Sequence, residues 1–288
     1  MKLNELDYIE RNIKIPSTYL RRIIETYMFG DRPLESLMIS MAGITSHTGR
    51  EMSAIVYSKI PRKIAEYKSA RSIHHPNFRI VPSLGDLKSV QDPEFYNSDL
   101  YKDYINKSGE PYLVLPLVHI HTHPEGMSFT SENDLINSKK RYKEEIYLGS
   151  GKIRIINPTL NIIIGVSPYP GNPNPSAHSF TFYQLNGNQS ALESFIRNYK
   201  KHHSKANEKT IDINHFNKDD PLTEVFMREL KDAKVCDYLH FPSVNNNLNH
   251  SKSLFSKHKN TGNYYINKKH LTKIASKFNY NLKVTRIY

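Results

Sequence analysis

The sequence predicts an α/β fold, and three observations carry that prediction. Helix-like and strand-like segments alternate along most of the 288 residues. The longest apolar runs, residues 112–118 and 160–166, have strand length and fall well short of the roughly 18 residues a membrane span needs. Hydrophobic residues at 38% and aromatics at 11% suffice for a real core and exclude wholesale disorder. The length suits one large domain or two modest ones.

Taken in order, Pro16-Ser17-Thr18 before YLRRIIETYMF reads as the capped start of an amphipathic helix, which Gly30 and Pro33 end. Residues 37–41 and 52–57 read as two strands joined by a Gly/Ser/Thr/His turn. Residues 60–90 read as irregular and basic. Asp92-Pro93-Glu94 opens a helix over 95–106, closed by Gly109 and Pro111. LVLPLVHIH (113–121) is a strand, and Pro116 inside it calls for an edge position or a bulge. Residues 131–145 read as a helix and 153–166 as one or two strands. A proline-rich loop over 168–175 precedes a strand at 178–185. LNGNQS (185–190) reads as a boundary between a domain over 1–187 and a smaller, basic α+β domain over 188–288. The second part carries helix patterns at 190–203, 221–234 and 268–278, an Asn-rich linker near 245–249 and a last strand at 282–288.

Charge is unevenly spread. The chain has 40 Lys/Arg against 28 Asp/Glu, a net +12, yet residues 191–288 alone hold 18 against 9. After Asp237 no acidic residue follows, while nine Lys/Arg do. Such asymmetry suggests an acidic partner or nucleic acid at residues 250–288, although a solvated basic surface accounts for it equally well. Phe255, Tyr264, Tyr265, Phe278 and Tyr280 interleave with these lysines; packing is the preferred reading of the aromatics and base stacking the alternative. A lone Cys236 rules out a disulfide framework and an all-cysteine zinc site, and reads as a buried thiol. The first dozen residues alternate charges and hold no apolar leader stretch, so a cytoplasmic location without a membrane partner is expected.

The chemistry concentrates in HTHPEGMSFTSEND, residues 121–134. On a strand, His121 and His123 project to the same side, so two imidazoles can converge on one metal. Pro124 and Gly126 turn the chain, and Asp134 falls one turn into the next helix. Two histidines and one carboxylate make the three-ligand set of a catalytic zinc site, with the fourth position left for water. A general base must still relay a proton, and Glu35, Glu51, Glu125 and Glu132 all qualify on spacing. His119 shares the histidine face and reads as a wall residue behind the ligands. His74-His75 and His202-His203 are adjacent pairs that a strand would point to opposite sides, and they read as surface residues.

His121-Thr-His123-Pro, six residues, then Ser131-Glu-Asn-Asp134 resembles the signature of the JAMM (MPN-plus, JAB-domain) metallopeptidases, His-x-His-Pro-x(6)-Ser-x-x-Asp, at every fixed position. The resemblance implies zinc, one per chain, on His121, His123 and Asp134, with Ser131 steadying the oxyanion. It also implies a catalytic glutamate just after a first helix, at the entry to a strand. Pro33-Leu-Glu35-Ser-Leu-Met38-Ile-Ser40 is similar to that pattern, with Met38 and Ser40 in place of the usual Gly and Leu, so Glu35 is the first choice and Glu51 the second. The implied fold is a curved mixed sheet flanked by helices, like that of cytidine deaminases, over about residues 10–187. The implied activity is hydrolysis of isopeptide or peptide bonds at the C-terminus of a ubiquitin-like protein, in precursor processing or deconjugation, including in antiphage defence. The segment 60–110 would then supply the groove for a glycine-ended tail. Two alternatives stand beside it: a silent scaffold whose basic C-terminal part binds nucleic acid, and a peptidase acting on small peptides or a sulfur-carrier protein.

Overall fold

A computed structural model describes residues 9–13, 33–61, 77–85, 112–124, 126, 128–130, 132–148, 151–156, 159–167, 174–186, 189–206, 228–243, 253–278 and 282–287. The helix expected near 17–29, the one over 95–106, the Asn-rich segment, His74-His75, Tyr280 and most of 60–110 lie outside these residues.

The chain forms a mixed α/β structure around a six-stranded sheet. Its strands are β2 (Met52–Pro61), β3 (Asn77–Leu84), β4 (Tyr112–His123), β7 (Leu160–Gly165), β8 (Ser179–Leu185) and β9 (Cys236–Phe241), in the order β3-β2-β4-β7-β8-β9. Only the β4–β7 pair is parallel. A second, four-stranded antiparallel sheet runs β1 (Ile9–Ile13), β12 (Leu282–Ile287), β6 (Gly151–Ile156), β5 (Lys143–Leu148). The hairpin β10 (Phe255–Lys257)–β11 (Tyr264–Ile266) stands apart from both sheets. Among the described residues the helices are α1 (Pro33–Thr48), α2 (Glu132–Tyr142), α3 (Gln189–Ala206) and α4 (Lys268–Lys277), with a further helical turn over 228–232. No helix among the described residues is long and apolar enough to cross a membrane.

Strand alternation sorts the large sheet into two faces. Ala54, Val56, Ile120, Ile162, Phe180 and Phe182 point one way, into a core shared with Leu34, Met38, Met41 and Ala42 of α1 and with Phe255, Ile266, Leu271, Ile274 and Phe278 of the C-terminal hairpin and α4. Ile163, Tyr183, Leu185 and Cys236 point the other way, against Leu135 of α2 and Leu192 of α3. The sheet is thus covered on both sides.

Several sequence expectations are corrected. Residues 37–41 are helical, not a strand. An unbroken apolar run is ambiguous in period, and here Leu34, Met38, Met41, Ala42 and Thr45 make one buried helical stripe. Pro33 opens the helix, and Gly49, at φ +67°, closes it by donating its N–H to the Thr45 carbonyl at 2.8 Å. Residues 77–84, read as irregular, form β3 through pairing with β2, a partner that local pattern does not reveal. Helix α2 stops at Tyr142 and the next residues pair with β6, overriding the helical preference of Lys-Glu-Glu. The expected break near residue 188 falls in the connection between β8 and α3, not between independent units. Strand β9 completes the six-stranded sheet and β12 pairs with β6, so the C-terminal part shares sheets and core with the rest. Pro116 sits where the β2–β4 register shifts, the bulge its missing N–H calls for.

Candidate metal centre

Strand β4 carries the centre. Its alternation turns His119, His121 and His123 to the face opposite α1, while Ile120 and Thr122 point to α1. Helix α2 brings Asp134 over the same face. His121 Nε2 lies 3.0 Å from His123 Nε2 and 3.1 Å from Asp134 Oδ1, and His123 Nε2 lies 3.7 Å from Asp134 Oδ2. The three donor atoms lie within 4.8 Å of one another, the only such group among the described residues.

The donor set fits a metal. Zinc at roughly 2.05 Å from N and O ligands in a tetrahedron separates those ligands by roughly 3.3 Å, close to the 3.0 Å between the two imidazole nitrogens and to the 3.1 and 3.7 Å from them to one or the other Asp134 oxygen. Lone pairs converging this closely repel one another unless a cation or shared protons lie among them. Two imidazoles and a carboxylate suit zinc or another divalent transition metal. The His121 side chain is 4% exposed, whereas those of His123 and Asp134 are 20% and 16% exposed.

Neighbouring groups fix the ligands. His119, buried, meets Ser53 Oγ of β2 at 3.1 Å through Nε2 and stacks on the His121 ring, centroids 5.2 Å apart. Thr122 Oγ1 accepts the Met52 N–H at 2.8 Å and meets Thr45 Oγ1 of α1 at 2.6 Å. The Val166 N–H donates to the His123 carbonyl at 2.8 Å. On α2, Ser138 Oγ donates to the Asp134 carbonyl at 2.7 Å and sits 2.8 Å from the Tyr183 hydroxyl. Loop residues between β4 and α2 are tied to β8 and β9: Ser179 Oγ donates to the Gly126 carbonyl at 3.1 Å, and Ser128 Oγ lies 3.1 Å from Thr181 Oγ1.

The two glutamates favoured from sequence are placed very differently. Glu35 is buried in the first turn of α1, on the far side of the sheet from the histidines. Thr45, ten residues on and about 15 Å further along the helix axis, is the α1 residue that reaches Thr122. The strand entry required of Glu35 is absent, because a helix occupies those residues. Glu51 immediately precedes β2 and keeps its register, its carbonyl accepting the Gly85 N–H at 2.8 Å. The β2–β4 ladder ends at Ser53 and His121, and Glu51 lies two residues beyond Ser53 at that end of the ladder. Ser131 and Glu125 lie outside the described residues, as does the side chain of Glu132. His202-His203 are on α3 rather than a strand. Cys236 is buried on β9, which pushes its thiol up to about 12, with the Asp237 charge adding to the effect. Such a thiol is inert.

Sequence reasoning singled out none of Ser53, Ser179, Thr181, His178 or His240. No spacing marks them, because the fold, not the local sequence, brings them to their partners. His178 accepts the Ser167 N–H on Nδ1 at 3.0 Å, and burial pulls it down to about 4; burial does the same to His240. The unfolded chain protonates these rings near 6.5 and the folded one does not, so their contribution is whole above that pH and is lost as pH falls toward 4. Between pH 7 and pH 5 each ring should remove about 2 kcal/mol. Urea unfolding at both pH values checks this, and His178→Asn, which keeps an acceptor but cannot titrate, should shrink the difference by that amount.

The chain matches no family model, and no curated protein matches it.

Proposed function

We propose that this chain is a zinc-dependent hydrolase of JAMM type, cleaving isopeptide or peptide bonds at the C-terminus of a ubiquitin-like protein. The observation that carries the reading is the convergence of His121, His123 and Asp134, with edges of 3.0, 3.1 and 3.7 Å, on one point. The HTHP–Ser–Asp spacing supplies the rest, together with a sheet flanked by helices on both faces.

Zinc held by these residues supplies a Lewis acid for the scissile carbonyl and an activated water at neutral pH. Glu51, half-buried just before β2, takes the proton of the attacking water and delivers it to the leaving amine nitrogen. It takes over the role first given to Glu35. Ser131, which directly precedes α2, donates a hydrogen bond to the developing oxyanion. His119 backs His121 and fixes its ring without touching substrate.

The purified full-length chain should carry about one zinc and cleave a ubiquitin-like protein fused through its C-terminus, with the cut after the tail. Cleavage of short peptides alone would move the substrate to the small-peptide alternative. A chain that binds zinc and cleaves neither would be the scaffold.

A second reading concerns the C-terminal hairpin and α4. Phe255 and Phe278 are buried in the core, so those aromatics pack. Lys257, Lys259, Lys268, Lys269 and Lys273 are exposed on the same unit; Lys277 is matched by Asp237 at 3.2 Å. Lys257 Nζ lies 5.7 Å from the Tyr264 ring centroid. This unit covers the sheet face away from the histidines, so an anionic partner could bind there with the metal centre still open. Single-stranded RNA should bind with a log–log salt slope of about −0.7 per phosphate neutralised, and the triple substitution K268E/K269E/K273E should flatten it. Binding unchanged by the triple substitution would end this reading.

A further inference from the structure

We propose that His240, on β9 in the C-terminal part of the chain, is a positioning residue that clamps the β4–α2 loop and so sets the place of Asp134 against His121 and His123. The proposal rests on the metal-centre reading above.

Two of the three ligands need no such help. His121 and His123 stand on one strand, held between β2 and β7 by ladder pairing. Asp134 comes eleven positions after His123, across a loop and into a helix, so its place depends on how that loop is held. The loop passes over the sheet face of β8 and β9 and is fixed there at successive points. The Gly126 carbonyl accepts from Ser179 Oγ at 3.1 Å. Ser128 Oγ, Thr181 Oγ1 and His240 Nδ1 form a triangle of 3.1, 2.9 and 3.4 Å. The Phe129 ring stacks on the His240 imidazole, centroids 4.9 Å apart at 24°. His240 thus touches both consecutive loop residues, and it also meets the β8 threonine that pairs with it across the ladder.

The residue type is informative. Phe129 needs only a flat ring beside it, which phenylalanine would provide without the cost of desolvating an imidazole. What histidine adds is a ring nitrogen for two hydroxyls that are otherwise sealed from water, Ser128 and Thr181 both being 0% exposed. Burial pulls that ring down to about 4, so it is uncharged at neutral pH, and in the tautomer with the proton on Nε2 its Nδ1 accepts from these hydroxyls. Metal ligands need placement to within a few tenths of an ångström, and groups behind the ligands commonly change metal affinity 10–100-fold.

The test compares zinc dissociation constants, by competition with a chromophoric chelator, and metal-free melting temperatures for the full chain and its variants. His240→Phe keeps the stacked ring and loses the acceptor; zinc should bind about 10–100-fold more weakly. Thr181→Val should act in the same direction, and the double variant should be no weaker than His240→Phe alone, because both cut one hydrogen-bonded unit. His240→Asn, whose amide can stand where Nδ1 does, should recover most of the affinity. Wild-type affinity in His240→Phe, with only the melting temperature lowered, would overturn the clamp. Should that variant fail to fold, unchanged affinity in Thr181→Val would do the same. Absence of zinc binding in the wild type would instead sink the metal-centre reading itself, and the clamp with it.

Discussion

Glu51→Gln should lower turnover of a ubiquitin-like fusion by about 10²–10⁴-fold while leaving zinc content near one per chain. The amide matches the carboxylate in size and still accepts a hydrogen bond through its oxygen, but it cannot take a proton from the attacking water or return one to the leaving amine. Glu51 stands two residues beyond Ser53, the ladder partner of His121, with its backbone fixed by Gly85. Glu35→Gln is the control. Glu35 is buried in the first turn of α1, the helix that packs on the sheet face opposite the histidines, so turnover by folded protein should persist while the melting temperature falls. Steady-state rates and zinc analysis on both variants decide the matter. Loss of turnover in Glu35→Gln with retention in Glu51→Gln would reverse the assignment.

From sequence, Glu35 is the first choice because Pro33-Leu-Glu35 resembles the JAMM family's glutamate pattern, while spacing alone leaves it level with Glu51, Glu125 and Glu132. A proline two residues before a glutamate, followed by an apolar run, has the composition of a strand entry, and Leu37–Met41 carries no polar residue except Ser40 to reveal its period. The longer stripe through Ala42 and Thr45 and the glycine stop at Gly49 decide for a helix, and the strand entry then moves to Glu51. The clustering of His121, His123 and Asp134 was legible because its geometry is local. Two histidines at i and i+2 need only a strand, and the loop to Asp134 needs only its own length. Ser53, Thr181 and His240 were not legible, because their side chains meet His119 or Ser128, 66, 53 or 112 positions away in sequence. The same non-local pairing explains the domain boundary. The proline- and asparagine-rich connections look like linkers, yet β9 and β12 return to sheets begun much earlier in the chain.

Asp134→Ala should weaken zinc binding by more than the roughly 100-fold that groups behind a ligand can cost, and should abolish hydrolysis. Removing the carboxylate leaves His121 and His123 Nε2 atoms 3.0 Å apart as a two-point site, one ligand short of what a catalytic zinc centre requires. Asp134 also supplies the negative charge that offsets part of the metal's own. A consequence can be read without any substrate. A ligand present at about a thousand times its dissociation constant adds about 4 kcal/mol to folding stability, so zinc should raise the wild-type melting temperature by several degrees. The increment should vanish in Asp134→Ala, while the metal-free melting temperatures of the two proteins stay close. Those two metal-free values matter as much as the increment. If Asp134→Ala melts far below the wild type without zinc, the carboxylate is an element of the fold, and its short contact to His121 is an ion pair rather than half of a metal site. If the metal-free values agree and the increment is lost, the three donors act on a cation, and screening ubiquitin-like conjugates follows directly.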